Sequence, residues 1–77
     1  MKKILICGAG GFIGGHLTNS LSKKNNLICV DIKPTEHWFQ IFDKNKNYSA
    51  DLKEYENCLK VTEGVEYVYN LACNMGG

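Results

Sequence analysis

Two unbroken apolar runs dominate the first half of the chain, Ile4-Leu5-Ile6-Cys7 and Leu27-Ile28-Cys29-Val30. Neither alternates with polar residues. A strand that is apolar at every position is buried on both faces, as in a parallel sheet covered on two sides. The first run, with Lys3 ahead of it, predicts a strand over Lys3–Cys7 that breaks into a glycine turn at residues 8–11. Beyond the turn, Phe12, Ile13, Leu17 and Leu21 recur at helical spacing, with Thr18, Asn19, Ser22, Lys23 and Lys24 on the other face. This predicts an amphipathic helix over residues 12–24. Two lysines suit its negative C-terminal end, and Asn25-Asn26 suit its termination.

The second run predicts a strand ending at Asp31. Residues 33–47 read as an irregular stretch that holds the single proline and the aromatic residues Trp38, Phe39 and Phe42, expected to pack the loop onto the domain. Tyr48-Ser49-Ala50 predicts a short third strand ending at Asp51. Residues 52–61 predict a helix with Leu52, Tyr55 and Leu59 on one face, closed by Gly64. Residues 65–72 predict a fourth strand that runs on into Met75-Gly76-Gly77.

The order β-α-β, loop, β-α-β implies a parallel sheet with right-handed crossovers. The expected class is α/β, the first half of a doubly wound Rossmann sheet with strand order 3-2-1-4. A buried-type fourth strand with no helix after it would be an exposed pairing edge. That predicts that residues 1–77 are the N-terminal half-domain of a longer protein, truncated before its remaining elements.

Composition narrows the function classes. A chain of 77 residues makes one small domain, and a domain of this size buries only about 60% of its unfolded surface. A net charge of +1 gives no basic field for nucleic acid. No apolar run approaches the roughly 20 residues needed to span a bilayer, and no secretory signal fits the start, so no membrane role is expected. The cysteines Cys7, Cys29, Cys58 and Cys73 are scattered, with no metal-ligand spacing. Reduced thiols in a cytoplasmic protein are the expectation. His16 and His37 have no carboxylate or cysteine partner at ligand spacing and read as structural or surface residues.

The chemistry concentrates at turns after strands. Gly8, Gly11 and Gly14 form G-x-x-G-x-x-G between a strand and a helix. In a dinucleotide site the first glycine permits the tight turn, the second admits the pyrophosphate and the third allows close helix–strand packing. Phe12 and Ile13 open the helix, whose free N–H groups and positive end suit the phosphates. Without that context, the same glycines would be a structural turn. Asp31 follows Gly11 by 20 residues; a carboxylate there accepts from ribose hydroxyls and repels a 2′-phosphate, which favours NAD over NADP. Lys33, two residues on, reads either as a phosphate contact or as a solvated surface residue. Asp51 and Leu52 would meet the adenine amino group and ring, or Asp51 caps the next helix with Glu54 at the capping-box position. Leu71 and Ala72, at the end of the fourth strand, would let the cofactor ribose approach the backbone, or are simply small strand-end residues.

The run Ile4–Ile13 with Asp31 and Asp51 resembles the extended short-chain dehydrogenase/reductases, which include NAD-dependent sugar-nucleotide epimerases and dehydratases. Residues 56–65 (Glu-Asn-Cys-Leu-Lys-Val-Thr-Glu-Gly-Val), then Asn70-Leu71-Ala72, Met75-Gly76-Gly77 and the pair Glu36-His37, resemble the GDP-mannose 3,5-epimerase family in particular. That resemblance implies NAD held by the loop from Gly8 through Gly11, Phe12 and Ile13 to Gly14, with Asp31 and Asp51, and Gly76 against a nucleotide-sugar substrate. It implies a cytoplasmic homodimer that oxidises C4 of GDP-mannose, inverts C3 and C5 and re-reduces C4, giving GDP-L-galactose. Gly14-Gly15 and Cys73-Asn74 depart from the family pattern, and Asn74 removes a charge near the expected substrate edge. The family's Tyr-x-x-x-Lys pair and its acid/base cysteine and lysine lie on later elements. Tyr48 is followed four residues on by Leu52, and Tyr55 by Leu59. No catalytic residue and no metal ligand is therefore expected here, and the 77-residue chain alone is expected to be inactive. The alternatives are another NAD-dependent sugar-nucleotide epimerase or 4,6-dehydratase, or a non-catalytic NAD-binding module.

Overall fold

The computed structural model describes residues 2–72. Its elements are β1 (Lys3–Cys7), α1 (Phe12–Leu21), β2 (Asn26–Asp31), a single 3-10 turn (Thr35–His37), β3 (Lys46–Ser49), α2 (Tyr55–Thr62) and β4 (Tyr67–Asn70). All four strands are parallel and lie in the order β3-β2-β1-β4. This is the expected half of a doubly wound sheet, with β1 and β2 inside it. In register, Ile4 lies beside Leu27 on one side and Tyr67 on the other.

The unbroken apolar runs split between two faces, because successive side chains on a strand point to opposite sides. Ile4, Ile6, Leu27 and Cys29 join Ala9, Trp38 and the half-buried Leu21 of α1. Leu5, Cys7, Ile28 and Val30 join Val61 of α2, with Tyr48, Ala50, Leu52 and Val65 packed around them. The two helices thus cover opposite faces. Among the described residues no helix is long and apolar enough to cross a membrane.

The buried face of α1 is not the expected one. Gly14, Gly15, Thr18 and then Ser22 are its buried positions, while Phe12 and Ile13 are 61% and 69% exposed. Distance decides this. A Cβ at Gly14 would overlap the Gly8 carbonyl oxygen and stand 2.9 Å from the Ala9 Cα, so the helix passes too close to the turn after β1 for Leu or Ile there. The buried hydroxyls are satisfied within the helix: Thr18 Oγ1 donates to Gly14 O at 2.7 Å and Ser22 Oγ to Asn19 O at 3.2 Å. α1 also stops at Leu21, before the lysines, and the Asn25 side-chain amide donates to the Leu21 carbonyl at 3.0 Å.

The later elements shift by a few residues. β3 starts at Lys46 and ends at Ser49, and the Ala50 amide donates to Asp31 O at 3.0 Å. α2 begins at Tyr55 rather than at residue 52, because Asp51 folds the intervening residues into a turn: its carbonyl accepts from Glu54 N–H and its Oδ1 from Lys53 N–H. The expected face of this helix is therefore wrong. Tyr55 and Leu59 are 75% and 54% exposed, and Val61 is the residue that enters the core. Gly64, at φ +71°, carries the chain from α2 towards β4, whose paired part is shorter than expected and exposed throughout. Within the aromatic loop, Trp38 is buried as expected, whereas Phe39 is exposed and meets Phe12 edge-to-face at 4.8 Å.

Two substitutions test the close approach of α1. Alanine has the higher helix propensity by about 1 kcal/mol, so Gly→Ala stabilises wherever the methyl is accommodated. Gly14→Ala is expected instead to destabilise by about 1–3 kcal/mol through overpacking against backbone. Gly15→Ala would meet only the flexible side chain of Gln40, from 3.3 Å, and should be neutral or stabilising. Urea-unfolding midpoints of the two variants check the contrast; equal effects at both positions contradict it.

Candidate cofactor site

The C-terminal ends of β1, β2, β3 and β4 surround one cleft of about 730 Å³. β1 and its turn contribute Cys7, Gly8 and Gly11, and the end of β2 contributes Asp31 and Lys33. Asp51 and Leu52 come from beyond β3, and Leu71 and Ala72 from beyond β4. Four separate stretches of sequence thus converge on one edge of the sheet, the edge where ligands bind in open α/β sheets. A second hollow of about 500 Å³ lies elsewhere, lined by Lys3, Lys23, Lys44 and Lys46 with Asn45, and contains none of these residues.

Gly8 is held in the left-handed region at φ +83°. Its N–H and that of Ala9 both donate to Val30 O, at 2.8 and 3.1 Å, which ties the turn to β2. The chain leaving β4 passes directly over it. Leu71 N–H donates to Cys7 O at 2.8 Å, and a Cβ on Gly8 would stand 2.7 Å from the Leu71 carbonyl carbon and 2.8 Å from Ala72 N. Backbone conformation and space both demand glycine here.

Gly11 is different. It is the N-cap of α1 at φ −81° and ψ 175°, open to any residue, and a Cβ there would meet only Gly8 O at 3.6 Å. What its missing side chain leaves free is the cleft. The first intrahelical bond runs from Gly15 N–H to Gly11 O at 2.9 Å, so the N–H groups of Phe12, Ile13 and Gly14 have no intrahelical acceptor. Among the described residues no side chain caps them. Phe12 and Ile13 therefore offer backbone donors rather than side chains, and Gly14 serves the packing of the helix. None of these three lines the cleft.

Asp31 is anchored at both oxygens. Oδ2 accepts from Gly10 N–H at 2.9 Å and Oδ1 from Lys33 N–H at 3.0 Å. A carboxylate has about four acceptor positions, so each oxygen keeps capacity for a further donor. Asp51 Oδ1 accepts from Lys53 N–H at 2.9 Å, while its carbonyl takes Glu54 N–H and the Asn57 amide. The N-cap of α2 is Glu54, with no side-chain cap bond. The capping-box reading of Asp51 and Glu54 is thereby overturned: Asp51 builds the turn ahead of the helix, and Oδ2 has no protein donor among the described residues.

Burial pushes the Cys29 thiol up to about 11, with the Thr18 hydroxyl opposing it. Burial also raises Cys7, with a smaller contribution from Cys58. Cys7, Cys29 and Cys58 are free. The two buried thiols stay protonated near neutral pH and are poor nucleophiles. His16 meets Phe12 edge-to-face at 4.6 Å, and His37 is exposed. No metal-binding cluster exists among the described residues. Gly76, Cys73 and Asn74 lie outside the described residues.

The sequence reading missed Ile32, Ala50 and Lys53, which also line the cleft, and Gly10, whose N–H fixes the Asp31 carboxylate. For Gly10 the adjacent pair Gly10-Gly11 was the available signal, since a single glycine suffices for the turn. Residues 4–77 match the NAD dependent epimerase/dehydratase family. The chain is 46% identical to the GDP-mannose 3,5-epimerase of Arabidopsis thaliana over 76 residues, which cover 97% of this chain and 20% of that protein. It is 43% identical to GDP-mannose 3,5-epimerase 1 of Oryza sativa subsp. japonica over the same shares. The bifunctional polymyxin resistance protein ArnA of Wigglesworthia glossinidia brevipalpis is 40% identical over 63 residues, 78% of this chain and 10% of that protein. The chain thus spans about a fifth of the length of the plant relatives it matches. With a family match running from β1 to the last residue, the chain belongs to the NAD dependent epimerase/dehydratase family.

Proposed function

We propose that residues 1–77 are the N-terminal NAD-binding portion of a sugar-nucleotide epimerase that acts on GDP-mannose. The observation that carries the cofactor reading is the convergence of Gly8, Gly11, Asp31 and Asp51 on one cleft beside the uncapped N-terminus of α1. The residues present fit a dinucleotide. Gly11 leaves room at the turn, and Phe12, Ile13 and Gly14 have backbone donors free for the pyrophosphate. Asp31 keeps acceptor capacity for ribose hydroxyls beside its two backbone bonds. Asp51 Oδ2 and the half-buried Leu52 suit an adenine amino group and ring. Leu71 and Ala72 offer the close backbone edge beside Gly8, and Lys33 stands exposed at the rim.

The substrate reading rests on the identity to two plant GDP-mannose 3,5-epimerases. Bound NAD supplies a reversible hydride acceptor, which is what conversion of GDP-mannose to GDP-L-galactose through C4 oxidation, C3/C5 inversion and C4 re-reduction requires. The residues described here bind and orient; none is assigned a proton-transfer role, and the 77-residue chain alone is proposed to be inactive. The free buried thiols favour a reducing compartment, the cytoplasm. A second reading, another sugar-nucleotide epimerase or 4,6-dehydratase, is supported by the breadth of the matched epimerase/dehydratase family and by 38% identity over 87 residues to the uncharacterized UDP-glucose epimerase YtcB of Bacillus subtilis (strain 168).

Isothermal titration of the intact protein should show NAD binding at least about tenfold tighter than NADP, a difference of about 1.4 kcal/mol. Asp31→Asn should narrow that gap by weakening NAD and relieving repulsion of the 2′-phosphate; tighter NADP binding by the unaltered protein contradicts the assignment. Gly11→Ala should change unfolding stability by less than about 1 kcal/mol, the scale of an N-cap exchange. The same change should lower NAD affinity by about tenfold or more, because the methyl enters the space kept for the pyrophosphate. NMR of products from GDP-mannose should reveal a sugar inverted at C3 and C5; a 4-keto-6-deoxy product would establish the dehydratase reading instead.

A further inference from the structure

Trp38 lies in the loop after β2, distant in sequence from the glycine turn, yet its ring is the neighbour that Gly10 faces. A Cβ on Gly10 would stand 2.7 Å from Trp38 Cδ1, 2.8 Å from Cγ and 3.0 Å from Asp31 Oδ2. Gly10 does not have a positive φ; among the described glycines only Gly8 and Gly64 do. Backbone conformation therefore does not require glycine at position 10. The approach of the indole and the carboxylate does.

Four hydrogen bonds close this contact into a clasp. Gly10 N–H donates to Asp31 Oδ2 at 2.9 Å, and Gly10 O accepts from Phe39 N–H at 2.9 Å. Trp38 Nε1–H donates to Lys33 O at 2.9 Å, and Lys33 N–H donates to the other Asp31 oxygen at 3.0 Å. The peptide units on both sides of Gly10 are thus held by the β2 loop, and the indole fills the space between them. Trp38 is 8% exposed and also touches the apolar cluster of Ile4, Ile6 and Leu27, so its position is set by the core.

We propose that Trp38 is a positioning residue for the cofactor site: its ring on Gly10 and its bond to Lys33 fix the glycine turn and Asp31 in the binding geometry before ligand arrives. The proposal rests on the dinucleotide reading of the cleft and adds to it the element that preorganises the turn. A loop already ordered loses less conformational freedom on binding, so the affinity of the free N–H groups for a pyrophosphate depends on the clasp.

The test uses Trp38→Ala, Trp38→Phe, Gly10→Ala and the double variant Gly10→Ala/Trp38→Ala in the intact protein. Two readouts are taken: NAD affinity by titration, and hydrogen exchange in the absence of nucleotide. Trp38→Ala is expected to weaken NAD binding by about tenfold or more and to speed exchange at Gly10 and Phe39, with the β1 amides unchanged. Trp38→Phe keeps a ring over Gly10 and should stay within about threefold of the unaltered protein. Gly10→Ala should weaken binding because its methyl meets the indole. In the double variant that obstacle is gone, so the combined loss should be smaller than the sum of the singles.

A purely packing role predicts a lower melting temperature with NAD affinity and Gly10 exchange unchanged in the folded variant, and that result overturns the proposal. Should Trp38→Ala fail to fold, Trp38→Phe and Gly10→Ala decide: Gly10→Ala binding NAD as tightly as the unaltered protein overturns it. Absence of NAD binding in the unaltered protein sinks the cofactor reading instead, and the exchange arm then decides by itself whether Trp38 holds the turn.

Discussion

At Gly8 four pieces of backbone meet within van der Waals distance, and the geometry of the sheet edge depends on that meeting. Its left-handed conformation reverses the chain out of β1. Its carbonyl lies where a Cβ on Gly14 would sit, which brings α1 down onto the strand. Its N–H bonds to β2, and the chain leaving β4 crosses it at Leu71–Ala72. A side chain at Gly8 or Gly14 would separate these pieces. The price of such closeness is that the helix presents glycine, threonine and serine to the sheet, so α1 contributes little apolar burial and β1 and β2 carry much of the core.

The same closeness creates the site. Because α1 starts directly after the turn, its unpaired N–H groups lie beside the cleft that the strand ends enclose. The carboxylates nearby are committed by geometry rather than by ion pairing. Asp31 and Asp51 each take a backbone N–H two residues ahead, the Asx-type turn that fixes a short acidic side chain at a strand end. Asp31 has a second bond, to Gly10, that makes it part of the glycine turn itself. Protonated, buried thiols at Cys7 and Cys29 add apolar volume without adding reactivity.

The aromatic loop connects these two halves of the edge. Trp38 reaches from the core cluster to the Gly10 peptide, while Phe39 remains exposed and packs on Phe12 and His16 of α1. A segment without regular structure thus ties the turn after β1 to the turn after β2. The apolar surface left on α1 at Phe12 and Ile13 and along β4 at Tyr67, Val68 and Tyr69 is uncovered.

By itself the sequence determined the parts that depend on local pattern. The bounds of β1, the glycine turn, the β2 core and the strand order follow from uninterrupted apolar runs and from the chirality of β-α-β crossovers. The convergence of Gly8, Gly11, Asp31, Asp51, Leu71 and Ala72 on one edge was legible for the same reason, since strand ends in a parallel sheet share an edge. Tertiary structure alone decided which face of α1 is buried, because the close contact of Gly14 with the Gly8–Ala9 backbone overrode the apolar stripe of Phe12 and Ile13. Tertiary structure also decided the meaning of Gly10, whose glycine answers to an indole 28 residues away. Where α2 begins was decided locally, by the Asp51 side chain, which bonds the backbone two residues ahead and delays the helix to Tyr55; the apolar spacing did not carry that signal. Periodicity carries information about an element's own faces; it carries none about how near a distant ring or backbone will come.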